Sequence, residues 1–321
     1  MFVDDCLGGF IFFMYLCSAM EYEELWHRLT HIYDAGEAKA IVRWVLDVRF
    51  DMSWTDILCG KVTELSAHDQ TELEKIMLRL EKGEPVQYII GVADFCGRQF
   101  HVEPGVLIPR PETEELCRMV IEEREISQKG QSPLCEILDI GTGSGCIAIT
   151  LASELPDAKV TAWDISDDAL RIADGNAKSL GANVTFEHCD VLDSSLFTPD
   201  SSLSTPDSSL FTLHSSLPSW DLIVSNPPYI QPIECDEMAK NVLDYEPQIA
   251  LFAPEDNPIV FYQRIGDYAW QHLNPGGLLF FELNPLTADQ VCDSLRTTGF
   301  MEIEIRKDQF GKNRFLKAMK I

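Results

Sequence analysis

The stretch EILDIGTGSGC, Glu136 to Cys146, passes in one step from an apolar run to three glycines at alternate positions, Gly141, Gly143 and Gly145. Such a change reads as a buried strand that turns sharply into a helix. Glycine takes the positive φ that the turn needs and lets a ligand approach the backbone, while the first N–H groups of the following helix face an anion. The dinucleotide fingerprint places its third glycine one position later, where this chain has Cys146, so a ligand carrying only a carboxylate suits the loop better than a pyrophosphate.

Working outward from the loop, strand and helix alternate. KVTAWDI (Lys159 to Ile165) is a second strand, Ser166 caps a helix whose Leu170, Ala173, Ala177 and Leu180 share a face, and NVTFEHCD, DLIVSN, GLLFFEL, MEIEIRK and RFLKAMK supply further strands. Asn257 as cap, Pro258 at the first helical position and NPGG at the exit mark the helix between the fourth and fifth strands. This alternation predicts a doubly wound α/β sheet with ligands at the carboxyl ends of its strands. Asp164 ends the second strand, where a carboxylate can accept both ribose hydroxyls of an adenosine. Asp190 ends the third, where it and Val191 can meet the adenine. With the loop Gly141, Thr142, Gly143, Ser144 and Gly145 they form an adenosine site, and the missing pyrophosphate clamp points to S-adenosylmethionine.

The remaining segments bound the possibilities. Glu21 to Glu84 reads as a small helical bundle, with Leu25, Leu29 and Ile32, then Ile41, Val45 and Leu46, then Leu73, Ile76, Met77 and Leu80 at helical spacing. Val86 to Ile90, Arg98 to Val102 and Val106 to Ile108 are β-rich and split by glycines, which predicts a hairpin linker. Four seven-residue, serine-rich copies from Asp193 repeat Leu196, Leu203, Leu210 and Leu217. Pro199, Pro206 and Pro218 interrupt them, so they read as a low-complexity insertion and not a zipper. A net charge of −27 disfavours stable nucleic-acid binding. The ten cysteines contain no C-x-x-C pair, which suits a reduced cytoplasmic protein without a metal centre. The first nineteen residues carry Asp4 and Asp5 in place of a basic n-region and are short for a membrane span; they are expected to be an upstream extension of a protein starting at Met20.

The fourth strand delivers Asn226, Pro227, Pro228 and Tyr229 to the same rim. A planar nitrogen conjugated to a carbonyl or a ring is neither charged nor nucleophilic, and both its hydrogens must be held by acceptors. The Asn226 side-chain oxygen is one acceptor and the Pro227 carbonyl a second, its direction fixed because consecutive prolines lock φ. Tyr229 supplies a flat wall. Clamped in line with a sulfonium methyl, such a nitrogen needs orientation more than it needs a base.

GEPVQYIIG, LIPRPETEEL, LDIGTGSG, SNPPYI, DYEPQIAL and FGKNRF stand in the order found in the HemK/PrmC family of protein-glutamine methyltransferases, which the chain resembles from about Glu21 to Ile321. The resemblance implies a class I S-adenosylmethionine-dependent methyltransferase, with a Rossmann-like, seven-stranded, mostly parallel sheet, a small N-terminal helical bundle and a β-hairpin linker. The expected boundaries are 1–19 for the extension, 20–85 for a helical substrate-docking domain, 86–112 for the linker, and 113–321 for the catalytic domain with the insertion at 193–219. The implied substrate is the glutamine of the Gly-Gly-Gln motif of class I peptide chain release factors, held by Asn226, Pro227, Pro228 and Tyr229. Arg110 and Glu112 are expected near the pocket in a structural role. An adenine-N6 nucleic-acid methyltransferase is the alternative, because an exocyclic ring amine poses the same problem to the same tetrapeptide.

Overall fold

The computed structural model describes residues 21–127, 135–197 and 219–321. The expected extension and most of the heptad insertion lie outside them. The chain divides into a helical unit and a sheet unit.

In the helical unit three helices begin where a polar side chain takes up an otherwise unbonded N–H. Helix α1 (Tyr22–Arg28) is followed by α2 (Ala35–Phe50), capped by Asp34 through the Gly36 and Glu37 amides, α3 (Trp54–Leu58), with a Ser53/Asp56 capping box, and α4 (Ala67–Leu80), capped by Ser66. Leu25, Leu29, Val42, Val45, Leu46, Leu73, Met77 and Leu80 are fully buried together. Ile32, expected on the same face, falls in the turn beyond α1 and is 42% exposed. Arg28 ties α1 to α4 by pairing with Glu74 at 2.7 Å and Glu81 at 2.6 Å. Val86–Ile90, expected to be extended, is helix α5: Tyr88 is buried, Val86, Ile89 and Ile90 pack on the helical core, and Gly91 closes the helix at φ +78°. Tertiary burial here overrides β-branched propensity. The unit also takes in Ala239–Tyr245, which contains helix α9 (Lys240–Tyr245), from within the range first assigned to the catalytic domain.

The sheet unit starts with the antiparallel pair β1 (Val92–Phe95) and β2 (Arg98–His101); no strand forms over Val106 to Ile108. After α6 (Pro111–Ser127) come β3 (Cys135–Ile140), α7 (Cys146–Glu154), β4 (Ala158–Asp164), α8 (Asp167–Leu180), β5 (Val184–His188) and β6 (Trp220–Ser225). The chain ends with α10 (Gln248–Leu251), α11 (Val260–His272), β7 (Leu273–Glu282), α12 (Ala288–Thr298), β8 (Met301–Lys307) and β9 (Asn313–Met319). The seven strands lie in the order β5-β4-β3-β6-β7-β9-β8, parallel from β5 to β7 and antiparallel at β9 and β8. This is the class I methyltransferase topology. Helix α11 starts at Val260, later than expected, although Asn257 still accepts the Ile259 amide at 3.3 Å. The NPGG run lies inside β7, beside a register shift opposite Trp220 to Leu222.

Strand alternation sends Ile137, Val224 and Phe280 into the core on one face and Leu138, Ile223, Leu279 and Phe281 into the core on the other. Burial on both faces explains why these strands read as continuous apolar runs. Among the described residues the cysteines are free thiols, and no helix is long and apolar enough to cross a membrane. His68, Asp69 and Glu72 bring metal-ligand atoms within 4.8 Å of one another on α4, but Asp69 serves Ser66 and Glu72 serves Arg49.

Gly145 caps α7 at φ +82°, where an added Cβ would lie 2.8 Å from Ile149 Cδ1 and 3.1 Å from Ala173 Cβ. Gly145→Ala should therefore lower stability by about 1–3 kcal/mol, read as a lower midpoint of urea unfolding; an unchanged midpoint would show that α7 and α8 can part at no cost.

Candidate active site

Pairing registers place the site before any side chain is considered. Ile140 is opposite Trp163 on one side and Ser225 on the other, and Ser225 is opposite Phe281. The residues one step further, Asp164, Gly141, Asn226 and Glu282, therefore leave four adjacent strands at one level. Between β3 and β6 the chain reverses its winding direction, and ligands of doubly wound sheets bind at such a switch.

At that level opens a cavity of about 280 Å³ lined by Gly141, Gly143, Asp164, Asp190, Val191, Asn226, Pro227 and Pro228. Gly105 to Leu107, Ser166, Ile249, Ala250, Phe261 and Ile265 complete the wall. A Cβ at Gly141 or Gly143 would have no protein atom within 4 Å, and both residues have positive φ, so the bare backbone faces open space. That cradle, two carboxylates and a largely apolar wall fit an adenosine ligand with a short charged tail.

The loop's own N–H groups are taken up within the fold. Those of Gly141 and Thr142 donate to the Trp163 carbonyl at 2.9 and 3.0 Å, Gly143 donates to Asp164 Oδ2 at 2.9 Å, and Gly145 donates to the Thr142 carbonyl at 2.9 Å. They are spent on holding the loop's shape. Thr142, Ser144 and Gly145 do not line the cavity. Thr142 is buried and donates to Asp139 Oδ2 at 2.7 Å, and Ser144 is buried with its carbonyl accepting from Asn176 Nδ2 at 2.9 Å. Asn176 also exchanges hydrogen bonds with the His101 backbone, pinning β2 to the loop.

Each Asp164 oxygen accepts one amide, Oδ2 from Gly143 and Oδ1 from Ser166 at 2.9 Å, which keeps lone pairs for two hydroxyls. Burial pushes its carboxyl above the usual range, while those amides pull it back. Asp190 Oδ1 accepts the Leu192 amide at 2.8 Å and so shapes the Val191 turn. Ser225 ends β6 by donating to the Ile140 carbonyl at 2.7 Å. Beyond it Ile230 exchanges bonds with Leu251 and Ala253, fixing the exit of the Asn-Pro-Pro-Tyr segment.

Tyr229 does not line the cavity. It packs on the β7 side, its hydroxyl donating to Glu282 Oε1 at 3.0 Å and its carbonyl accepting from Asn284 Nδ2 at 2.9 Å. Burial, then the Glu282 carboxylate, raises its phenol pKa far above the ordinary value. Glu282 was missed in the sequence, although it ends an apolar strand just as Asp164 does. Thr113 was missed too; its hydroxyl bridges Glu282 Oε2 at 2.7 Å and Asn226 Nδ2 at 3.2 Å. Arg110 pairs with Glu246, whose other oxygen accepts the Ile108 amide at 3.1 Å, tying the Gly105 to Leu107 wall to the segment leading to Ile249.

Beneath the loop, Asp139 is fully buried and burial holds its carboxyl up at about 7, against an ordinary 3.8. The folded chain thus binds a proton that the unfolded chain releases, and this contribution is complete below about pH 4 and is lost as pH rises toward 7. Asp139→Asn should gain stability relative to the parent by about 2–3 kcal/mol between pH 5 and 8. Denaturant titrations at the two pH values check this, and a difference independent of pH would refute it.

Comparison with known proteins follows the same division. The PrmC N-terminal domain model matches residues 24–91, and a methyltransferase domain model matches 131–231. A protein of Bacteroides thetaiotaomicron named release factor glutamine methyltransferase is 44% identical over 90% of this chain and 95% of its own length. Proteins of that name from Flavobacterium psychrophilum and Lactococcus lactis are 35% and 38% identical over 90% and 83% of the chain, and 94% and 88% of their own lengths. None of the three is named for a nucleic-acid substrate. With this similarity over nearly its whole length and the class I topology, the chain belongs to the release factor glutamine methyltransferases, enzymes that use S-adenosylmethionine.

Proposed function

We propose that this chain methylates the side-chain amide nitrogen of the Gly-Gly-Gln glutamine of class I peptide chain release factors, with Asn226 and Pro227 as the groups that hold that nitrogen. One observation carries the reading: the cavity lined by Gly141, Gly143, Asp164 and Asp190 is also lined by Asn226 and Pro227. A methyl donor seated on the former lies beside an acceptor seated on the latter. Glycines 141 and 143 would meet the methionyl part of the cofactor, Asp164 the ribose, and Asp190 with Val191 the adenine. S-adenosylmethionine, when bound, supplies the methyl group, and the products are N5-methylglutamine and S-adenosylhomocysteine.

The chain's own contribution is orientation. A primary amide nitrogen offers two N–H donors, and Asn226 Oδ1 with the Pro227 carbonyl offers two acceptors on a stretch that two prolines stiffen. Held so, the nitrogen keeps one face toward the donor, which in ideal systems lowers a barrier by about 7–11 kcal/mol. Tyr229, anchored to Glu282, stiffens the far end of the tetrapeptide. The helical unit is proposed to dock the release factor, and a net charge of −27 supports a protein substrate over a nucleic acid.

Asn226→Ala should cut turnover on a purified release factor by about 100-fold or more while S-adenosylmethionine still binds. Asp164→Ala should do the opposite, weakening cofactor affinity by calorimetry with a smaller loss of turnover at saturation. Mass spectrometry of the product locates the methyl group. Label transferred to a DNA duplex and not to the release factor would overturn the assignment.

A further inference from the structure

Resting on that reading, we propose that Glu282 and Thr113 are positioning residues for methyl transfer, fixing which edge of the Asn226 amide faces the substrate. Glu282 is 1% exposed, and each of its oxygens accepts one hydroxyl: Oε1 that of Tyr229 at 3.0 Å and Oε2 that of Thr113 at 2.7 Å. A hydroxyl has one proton. Once Thr113 has given its proton to the carboxylate, it offers Asn226 only lone pairs, and only the NH2 edge of the amide can meet them. The Nδ2–Oγ1 separation of 3.2 Å is that contact. Oδ1 is left for the cavity that Asn226 lines.

A reversed amide would set Oδ1 against the Thr113 lone pairs and turn NH2 toward the substrate NH2, donor against donor. A buried carboxylate two side chains from the chemistry thereby sets the polarity of the acceptor. The same count applies to Tyr229, whose one proton is also committed to Glu282, so outside the cavity it anchors the end of the tetrapeptide and donates nothing to the reaction. Arg314 and Glu112 are the other charged groups acting on Glu282, with opposite sign. The Glu282 carbonyl accepts from Tyr262 at 3.0 Å, which holds this end of β7 in place.

The test is a cycle of variants read by kcat on a purified release factor, cofactor Kd by calorimetry, and Tm. Thr113→Val keeps the side chain's shape and removes the acceptor. It should lower kcat by about 10–100-fold with cofactor Kd within about twofold, while Thr113→Ser, which restores the hydroxyl, should return kcat to within about threefold of the parent. In the Asn226→Ala background Thr113→Val should cost nothing further, because there is no amide left to orient. Glu282→Gln, isosteric and uncharged, should reproduce the kcat loss. Full turnover by Thr113→Val or Glu282→Gln, or independent additive losses in the double variant, would overturn the proposal while Asn226→Ala remained impaired. Full turnover by Asn226→Ala itself would remove the functional reading, and this inference with it.

Discussion

Register between parallel strands is the constraint on which the rest of this molecule depends. Because β4, β3, β6 and β7 pair so that Trp163, Ile140, Ser225 and Phe281 lie opposite one another, the next residue of each strand emerges on a common level. Parallel pairing with both faces buried permits no slip, since moving one strand by one residue would turn its core residues to the opposite face. Leu222 and Val224 would exchange cores with Ile223, and Asn226 would leave the rim. The Ser225 hydroxyl, bonded to the Ile140 carbonyl at 2.7 Å, closes this arrangement where the winding reverses. Aspartate, glycine, asparagine and glutamate thus become one row by hydrophobic packing some distance below them.

That row is suited to a neutral acceptor. Asp164 and Glu282 are buried carboxyls whose pKa values burial raises, and each is held by hydroxyl or amide donors. Lone pairs, and not mobile protons, are what the cleft presents near Asn226. A nitrogen that sheds its proton only as it gains the methyl group makes no demand for a base; it demands that two acceptors stay still. Stillness is what the surrounding bonds supply, from Asn284 to the Tyr229 carbonyl, from Ile230 to Leu251, and from Asn226 to Thr113.

The elements most legible in the sequence are those whose signal is local. Strands buried on both faces announce themselves as short apolar runs; Gly141 and Asn226 directly follow two of them and Asp164 closes a third. Residues whose role depends on partners far along the chain were opaque. Val86–Ile90 has the composition of a strand, and only burial against the helical core makes it a helix. Thr113 meets Glu282 across 169 positions. Nothing in the stretch RPETEEL tells which of its polar side chains turns inward. Glu282 is the intermediate case: an acid closing the apolar run GLLFFEL stands out by the same rule that singles out Asp164, so its position was readable while its partners were not.

The glycine loop shows how one sequence signal can serve several physical ends. Positive φ at Gly141, Gly143 and Gly145 is needed, but the three positions serve different ends. At Gly145 the missing side chain makes room for Ile149 and Ala173; at Gly141 and Gly143 it leaves open space. The N–H groups of Gly141, Thr142 and Gly143 are bonded to Trp163 and Asp164 and hold the turn in place. The loop therefore acts by shape, and the bond from Gly143 to Asp164 makes the shape of one cavity wall depend on the carboxylate of the next. Any group that draws on Asp164 also loads the backbone of the loop, so the carboxylate and the glycine turn respond as one element.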